Sequence, residues 1–415
     1  MSSDAFVDAA AAIGRRLVTE AVWHGDRCSW MGAVNERTVP GRPEYRPLGP
    51  TLYKGTAGVG LFLAQLAAVT ADDAVARAAT GALRHAISRA PSLAPDRRDG
   101  FHAGMPGIAW AVARAAMLLE DEALLMRASR VLATAGPPAG PRRCPDLITG
   151  AAGWIVGLVA LAEVLDQPGL WAEAVVVAEA LLGQATVTRY GWSWKDPTQR
   201  FPAHLCGIAH GAAGIGLAFV DLYAATGDER FHAAALGAFA YERSWLDAES
   251  CAWPDLRVGG LRRGAPRSVP PTSVTWCHGA PGIAVARLRA MAVLAAGPHE
   301  ADGRIALEAT RRDVRDSLAH DLGDMSLCHG ASGPADVLLC AGSQLGAEWA
   351  SSADLAADLG AAALARHDAD DAAWTCGVLA GTTPALFTGL SGIGWWFLRL
   401  HDPAVPSVLR LPHSG

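Results

Sequence analysis

Segments with almost no charged residues alternate with amphipathic segments along the whole chain. The apolar segments read VGLFLAQLAAV, IAWAVARAAML, WIVGLVALAEVL, IGLAFVDLYAA, IAVARLRAMAVL, PADVLLCAGSQL and IGWWFLRL. Helices that are apolar on nearly all sides are buried, whereas amphipathic helices expose one face. We therefore predict pairs of one inner and one outer helix. The predicted outer helices are Ala74–Ala90, Asp121–Ala135, Leu170–Ala185, Glu229–Trp245, Gly303–His320 and Ala353–Asp368.

A G-x-x-G tetrapeptide opens every apolar segment, and we call these seven tetrapeptides the anchors. Their first glycines are Gly55, Gly104, Gly150, Gly211, Gly279, Gly330 and Gly389. Units of about 50 residues with two helices fit an open array or a closed ring. An open array needs polar caps, but the last segment, IGWWFLRL, is apolar. We therefore predict an all-α fold, an α/α toroid of seven inner and seven outer helices that forms a single domain over residues 1–415. The stretch Ala9–Val22 supplies the outer helix for the last unit.

Two intervals between anchors are longer than the rest and are rich in Trp, Pro, Gly and Arg. They cover about residues 187–205 and 247–275, and we predict ordered loops over one face of the ring. Loops on a rigid scaffold often carry function.

Composition agrees with a helical globular protein. The 45 glycines exceed the roughly 29 expected from average usage, and the anchors account for most of the surplus. A hydrophobic content of 51% with 18% charged residues excludes disorder and a coiled coil. The net charge of −6 gives no basic footprint for nucleic acid, and no apolar run approaches the roughly 20 residues of a membrane span. We predict a cytoplasmic location, where the eight cysteines are thiols or metal ligands instead of disulfides.

Three consecutive units carry imidazoles or thiols directly before the anchor. The pairs are Ala209-His210, Cys277-His278 and Cys328-His329. Consecutive units of a ring are neighbours, so these groups are expected to converge. Thiolates and imidazoles are the ligands that Zn²⁺ prefers, and two thiolates with one imidazole leave an open catalytic position. The pattern leaves five candidates for at most four positions, and burial of these residues in the core is the alternative. His102, also before an anchor, is predicted to be structural.

The motifs GIAHGAAGIG, WCHGAPGI and LCHGASG resemble those of the lanthionine cyclase (LanC) family and its LanC-like relatives. The resemblance runs from GTAGVG to GLSGIGWW. It implies an α/α toroid with one Zn²⁺ per chain, held by Cys277, Cys328 and His329. It further implies that His210 and Asp146 assist catalysis. Some cyclases have Tyr at the position of His278, whereas the LanC-like relatives have His there, as this chain does. The resemblance therefore makes His278 a candidate acid or base.

The resemblance implies a lanthionine synthetase that adds peptide cysteine thiols to dehydroalanine or dehydrobutyrine and so forms the thioether rings of lanthipeptides. The substrate is then a dehydrated precursor peptide, and a separate dehydratase and a transporter are candidate partners. The anchor spacing leaves no room for a fused dehydratase domain. For Asp146, capping of the inner helix near Gly150 is an equal alternative.

Three other functions remain open from the sequence. A LanC-like enzyme would add glutathione to dehydroamino acids with the same motifs. Another toroid enzyme is a second alternative, but a glycosidase needs two carboxylates at the axis and a prenyltransferase subunit needs a partner. A non-catalytic binding protein is the third, and it would not need the metal ligands.

Overall fold

The computed structural model describes residues 3–34, 44–135, 144–197, 203–257, 272–370, 373–378 and 381–410. These residues contain fourteen α-helices and three short β-hairpins. The helices are α1 Asp4–Glu20, α2 Thr56–Thr70, α3 Asp73–Arg89, α4 Met105–Leu118, α5 Glu122–Ala135, α6 Ala151–Val164, α7 Gly169–Gly183, α8 Ala212–Thr226, α9 Glu229–Arg243, α10 Ala280–Val293, α11 Pro298–Ala319, α12 Ser332–Gln344, α13 Ala350–Asp370 and α14 Leu390–His401.

Seven of these helices begin at the anchors and are almost completely buried. They are α2, α4, α6, α8, α10, α12 and α14. In α2, every residue from Thr56 to Ala67 is buried, whereas the following α3 buries only the face that contains Val75 and Leu83. The predicted alternation of buried and half-exposed helices is therefore confirmed. Each predicted outer helix is present, with ends that differ by up to five residues.

The missing outer helix of the last unit comes from the N-terminus, as predicted. Helix α1 packs against α14, with the Phe6 and Phe397 rings stacked at 6.1 Å between centroids. The buried residues of α1, among them Ile13 and Leu17, recur at helical spacing along one face.

The second glycine of an anchor is required by a close backbone approach. A Cβ at Gly58, Gly214 or Gly392 would overlap the carbonyl oxygen of the residue six positions earlier. The first glycine is extended and is the N-cap residue of six of the seven helices that start at anchors. No side chain fits where the chain folds back on itself so tightly, so glycine is needed at both positions.

The chain divides into two compact units. The first contains residues 1–94, 102–135 and 314–407, and the second contains residues 95–101, 136–313 and 408–415. Within each unit, the main chain two residues before one anchor is hydrogen-bonded to the same position of the next. In the first unit these bonds are Cys328 N to Phe387 O (2.9 Å), Phe387 N to Tyr53 O (3.2 Å) and Tyr53 N to His102 O (2.9 Å).

The second unit repeats this bonding. Ile148 N donates to Ala209 O at 3.4 Å, and Ala209 N donates to Cys277 O at 3.2 Å. Backbone hydrogen bonds therefore fix the positions that precede the helices, and these positions carry the candidate site residues.

The hairpins were not predicted. They pair β1 Val22–His24 with β2 Arg27–Ser29, β3 Met31–Val34 with β4 Glu44–Pro47, and β5 Thr186–Thr188 with β6 Gly191–Ser193. The third hairpin overlaps the predicted loop at 187–205. The indole of Trp194, directly after β6, is buried and donates a hydrogen bond to Leu181 O at 2.8 Å. Residues 198–202 of that loop and 258–271 of the second loop lie outside the described residues.

Among the described residues, no helix is both long enough and apolar enough to cross a membrane. All eight cysteines lie among the described residues, and none of them forms a disulfide there.

Candidate functional site

Cys328 and His329 lie in the turn immediately before the sixth anchor. Cys328 is fully buried, and its Sγ lies 3.7 Å from Nε2 of His329, whose residue is exposed. The Tyr53 hydroxyl donates a hydrogen bond to the Cys328 Sγ at 2.8 Å. The His329 residue is therefore open to solvent, whereas the Cys328 thiol is enclosed.

Cys277 occupies the equivalent position before the fifth anchor. Its side chain is buried, and its Sγ lies 3.5 Å from the Thr275 hydroxyl. The backbone bond from Ala209 N to Cys277 O places Cys277 next to the residue that precedes His210.

The ligand atoms of Cys277, Cys328 and His329 all lie within 4.8 Å of one another, and no other such group of at least three ligands occurs among the described residues. A tetrahedral zinc site with bonds of about 2.0–2.3 Å separates its ligand atoms by about 3.4–3.8 Å. The distance of 3.7 Å between Cys328 Sγ and His329 Nε2 falls in this range, and Cys277 Sγ lies within 4.8 Å of both, so the two thiols and the imidazole suit zinc. The structure brings together the ligand set that the family resemblance implied.

His210 is held by a buried carboxylate. Its Nδ1 lies 2.5 Å from Oδ2 of Asp146, and Asp146 is 4% exposed. The other carboxylate oxygen accepts hydrogen bonds from the Thr149 main chain at 2.7 Å and from its hydroxyl at 3.1 Å. The N-cap of α6 is Gly150, with no side-chain cap, so Asp146 orders the preceding turn and His210 instead of capping the helix.

The contact between His210 and Asp146 shifts the pKa of both residues. Burial alone would lower the pKa of His210, but the hydrogen bond and charge of Asp146 outweigh it and raise the pKa above its usual value. Burial likewise opposes ionisation of Asp146, but the bonds from His210 and Thr149 hold the pKa of that carboxyl below its usual value. The pairing therefore favours the ionised forms of both the carboxylate and the imidazole.

His278 has the opposite electrostatic character. Its side chain is buried and stacks on His210 with 5.5 Å between ring centroids. Burial lowers the pKa of His278 to about 4, and the positive charge of Arg257 acts in the same direction. His278 is therefore neutral at pH 7, whereas the pairing with Asp146 favours the protonated form of His210.

Sequence reasoning missed two side chains near these residues. Tyr53 precedes the first anchor and carries neither an imidazole nor a thiol, so it was not a candidate metal ligand. Arg257 lies in the predicted second loop and binds Asp255 through Nε (2.9 Å) and Nη2 (2.7 Å). Tyr53 could have been found from its position in the repeat, because it lies two residues before its anchor, as Cys277 and Cys328 do.

His102 packs among aromatic rings. It is fully buried, and its ring meets Phe387 edge-on at 4.9 Å and Tyr53 edge-on at 6.4 Å. The indole of Trp194 is likewise buried in packing. These residues support the turns before the anchors.

The sequence profile described as "Lanthionine synthetase C-like protein" matches residues 46–411. The chain belongs to this family. The match spans all seven anchors, and it agrees with the resemblance carried by the three motifs. No protein among those with curated descriptions matches this family member.

Solved structures show the fold. "Nisin cyclase" is 16% identical at a TM-score of 0.62, with 85% of this chain and 89% of that chain covered. The α/α toroid predicted from the repeat is therefore confirmed. Cellobiose 2-epimerase from Spirochaeta thermophila (TM-score 0.47, 14% identity, covering 97% of this chain and 98% of that chain) and an unsaturated glucuronyl hydrolase specific for heparin (0.48, 13%, 78% and 85%) are more distant.

Proposed function

We propose that this family member is a zinc-dependent lanthionine cyclase. It would add a cysteine thiol of a dehydrated precursor peptide to a dehydroalanine or dehydrobutyrine of the same peptide. The observation that carries this proposal is the cluster of Cys277, Cys328 and His329, whose ligand atoms lie within 4.8 Å of one another. Zinc held by these residues would supply the Lewis acidity that ionises and positions the incoming thiol.

A free thiol with a pKa near 8.5 is only a few per cent ionised at neutral pH, so activation is needed. The reaction then forms a bond between sulfur and Cβ, and the electron pair of the C=C bond moves to the amide as an enolate. A proton must reach Cα. The sulfur proton is lost and the Cα proton gained, so the product is an isomer of the substrate.

His210 is the proton donor in this proposal. The hydrogen bond and charge of Asp146 raise its pKa, which favours the imidazolium form, whereas the low pKa of His278 makes that ring neutral at pH 7. A donor must be protonated before the step, and a group that titrates near the working pH is the most effective acid. Asp146 holds the imidazolium in place through Nδ1, which leaves Nε2 to give the proton.

His278 would accept a hydrogen bond from the incoming thiol. A neutral imidazole has one nitrogen lone pair, and the low pKa of His278 keeps that lone pair free of a proton at pH 7. Its stack against the His210 ring places acceptor and donor next to each other. The two histidines therefore have different proposed roles although both precede an anchor.

The test is incubation of purified protein with a dehydrated precursor peptide, with and without glutathione. Ring formation leaves the peptide mass unchanged but removes free thiols, which an alkylating reagent counts. Glutathione addition raises the mass instead and would support the LanC-like alternative. If the thiols and the alkenes of the peptide both remained unchanged, that result would contradict both activities.

Metal analysis separates the metal site from the chemistry. We expect about one zinc per chain, and Cys328→Ala should lose it. Cys28→Ala is the matched control, because Cys28 is also a buried thiol but donates to Ala78 O. Full activity after complete removal of metal would contradict the zinc-dependent mechanism. The dehydratase and transporter partners and the cytoplasmic location stay predictions.

A further inference from the structure

Tyr53 is held rigidly with its hydroxyl on the sulfur of Cys328. Its main-chain N–H donates to His102 O at 2.9 Å, and its carbonyl accepts from Phe387 N at 3.2 Å. The ring stacks on Phe387 with 4.9 Å between centroids and 17° between planes. Because the backbone and the ring are both fixed, the direction of the hydroxyl is set before any ligand binds.

The contact between Tyr53 and Cys328 is shorter than two other contacts between a hydroxyl and a cysteine sulfur among the described residues. The hydroxyl oxygen lies 2.8 Å from Sγ. Thr149 Oγ1 lies 3.4 Å from Cys144 Sγ, and Thr275 Oγ1 lies 3.5 Å from Cys277 Sγ. The Tyr53 hydroxyl is therefore directed at the Cys328 sulfur.

We propose that Tyr53 is a positioning residue of the metal centre, which orients the Cys328 sulfur and tunes its electron donation by donating a hydrogen bond to it. This inference rests on the proposed function, because it assigns a partner to one of the proposed ligands. Outer partners of this kind orient a ligand and tune its basicity. Nothing in the motifs that carry the family resemblance includes this contact.

The hydrogen bond matters for the chemistry because two protein thiolates already balance the charge of a divalent ion. If zinc were held there, a third thiolate from the peptide would make the centre negative. By withdrawing electron density from Cys328, the Tyr53 hydroxyl would offset this excess and favour ionisation of the incoming thiol.

A purely structural role for Tyr53 predicts something different. The ring fills the space between Phe387 and His102, and phenylalanine would fill it equally well. Tyr53→Phe therefore removes the hydrogen bond and keeps the packing, so this single change separates the two roles.

The experiment uses the full-length protein reconstituted with zinc or cobalt. Zinc affinity is measured by competition with a chromogenic chelator, and the thiolate-to-cobalt charge-transfer band by absorption. In Tyr53→Phe we expect zinc affinity to fall about tenfold to hundredfold. We expect the cobalt band to move to lower energy, because a thiolate without the hydrogen bond gives up its electrons more readily.

Tyr241→Phe is the matched control. The Tyr241 hydroxyl donates to His204 O at 2.7 Å, so the change removes a hydrogen bond of similar length that does not involve a proposed ligand. Both readouts should stay at the wild-type value in this variant. An unchanged affinity and band in Tyr53→Phe would overturn the inference, whereas failure of the wild-type protein to bind metal would overturn the proposed function itself.

A second measurement strengthens the hydrogen bond in the wild-type protein instead of removing it. Biosynthetic replacement of all five tyrosines by fluorotyrosine makes each hydroxyl a stronger donor. The cobalt band of the labelled wild-type protein should then move to higher energy, opposite to the effect of Tyr53→Phe. The same labelling of Tyr53→Phe should leave the band in place. A shift of equal size in both labelled proteins would contradict the assignment to Tyr53.

Discussion

Two histidines that are equivalent in the repeat have pKa values shifted in opposite directions because their neighbours differ. His210 pairs with the buried carboxylate of Asp146, which raises its pKa. His278 is buried close to the positive charge of Arg257, and its pKa falls to about 4. The residue types alone left open which of the two donates the proton, since the decisive carboxylate lies 64 positions from His210 in the chain.

Asp146→Asn should move the pH dependence of cyclisation. An amide keeps a hydrogen-bonding group but removes the negative charge, so burial dominates and the pKa of His210 falls. Activity that needs the imidazolium is lost as pH rises through this pKa, so the basic limb of the kcat/KM profile should shift to lower pH. At a fixed pH on that limb, activity should fall about tenfold for each unit of pKa. A basic limb that stays in place would contradict His210 as the donor.

His278→Phe provides the complementary prediction. The substitution keeps an aromatic ring to stack on His210 and removes the nitrogen acceptor. Because His278 is already neutral at pH 7, its loss changes no charge near His210. We expect kcat/KM to fall by about a hundredfold, within the range of acid–base contributions, with the basic limb unmoved. Steady-state rates across pH check this, and a shifted basic limb would show that the assigned roles are wrong.

At the scale of elements, the anchors could be predicted from the sequence because glycine spacing and charge-poor segments report on the same helices. The short hairpins could not. Strands of three or four residues, such as Val22–His24, give too few alternating positions to stand out. The contact between Tyr53 and Cys328 could not be predicted from the sequence either, because the two residues are 275 positions apart in the chain.

An alanine at the second glycine of an anchor tests the close approach. Gly392→Ala would place a Cβ against the carbonyl oxygen of Leu386, so the helix start must shift, at a cost of about 1–3 kcal/mol in the free energy of unfolding. Gly183→Ala is the control, because this glycine lies in α7 with open space around it. It should be neutral or stabilising by up to about 1 kcal/mol. Urea unfolding measures both, and equal effects would contradict the packing argument.

At the scale of the whole molecule, the alternation of charge-poor and amphipathic segments was sufficient to predict the toroid. Fourteen helices among the described residues follow it, and the likeness to nisin cyclase agrees. Sequence also identified the positions that carry the site, because each precedes an anchor. What it could not supply was the charge of each group, which depends on burial and on partners distant in the chain.

Metal binding should stabilise the folded chain as a whole. The cluster of Cys277, Cys328 and His329 joins residues up to 52 positions apart, so an unfolded chain does not offer the same three ligands at bonding distance. An ion that binds only the folded state adds RT ln(1 + [L]/Kd) to the free energy of unfolding, about 2.7 kcal/mol at a hundredfold excess over Kd. Urea unfolding of wild-type protein should therefore show a lower midpoint after chelation. Cys328→Ala should unfold at one midpoint with or without zinc, while Cys28→Ala should keep the full difference. If chelation lowered the midpoint of Cys328→Ala as much as that of the wild type, the stabilising ion would have to bind elsewhere.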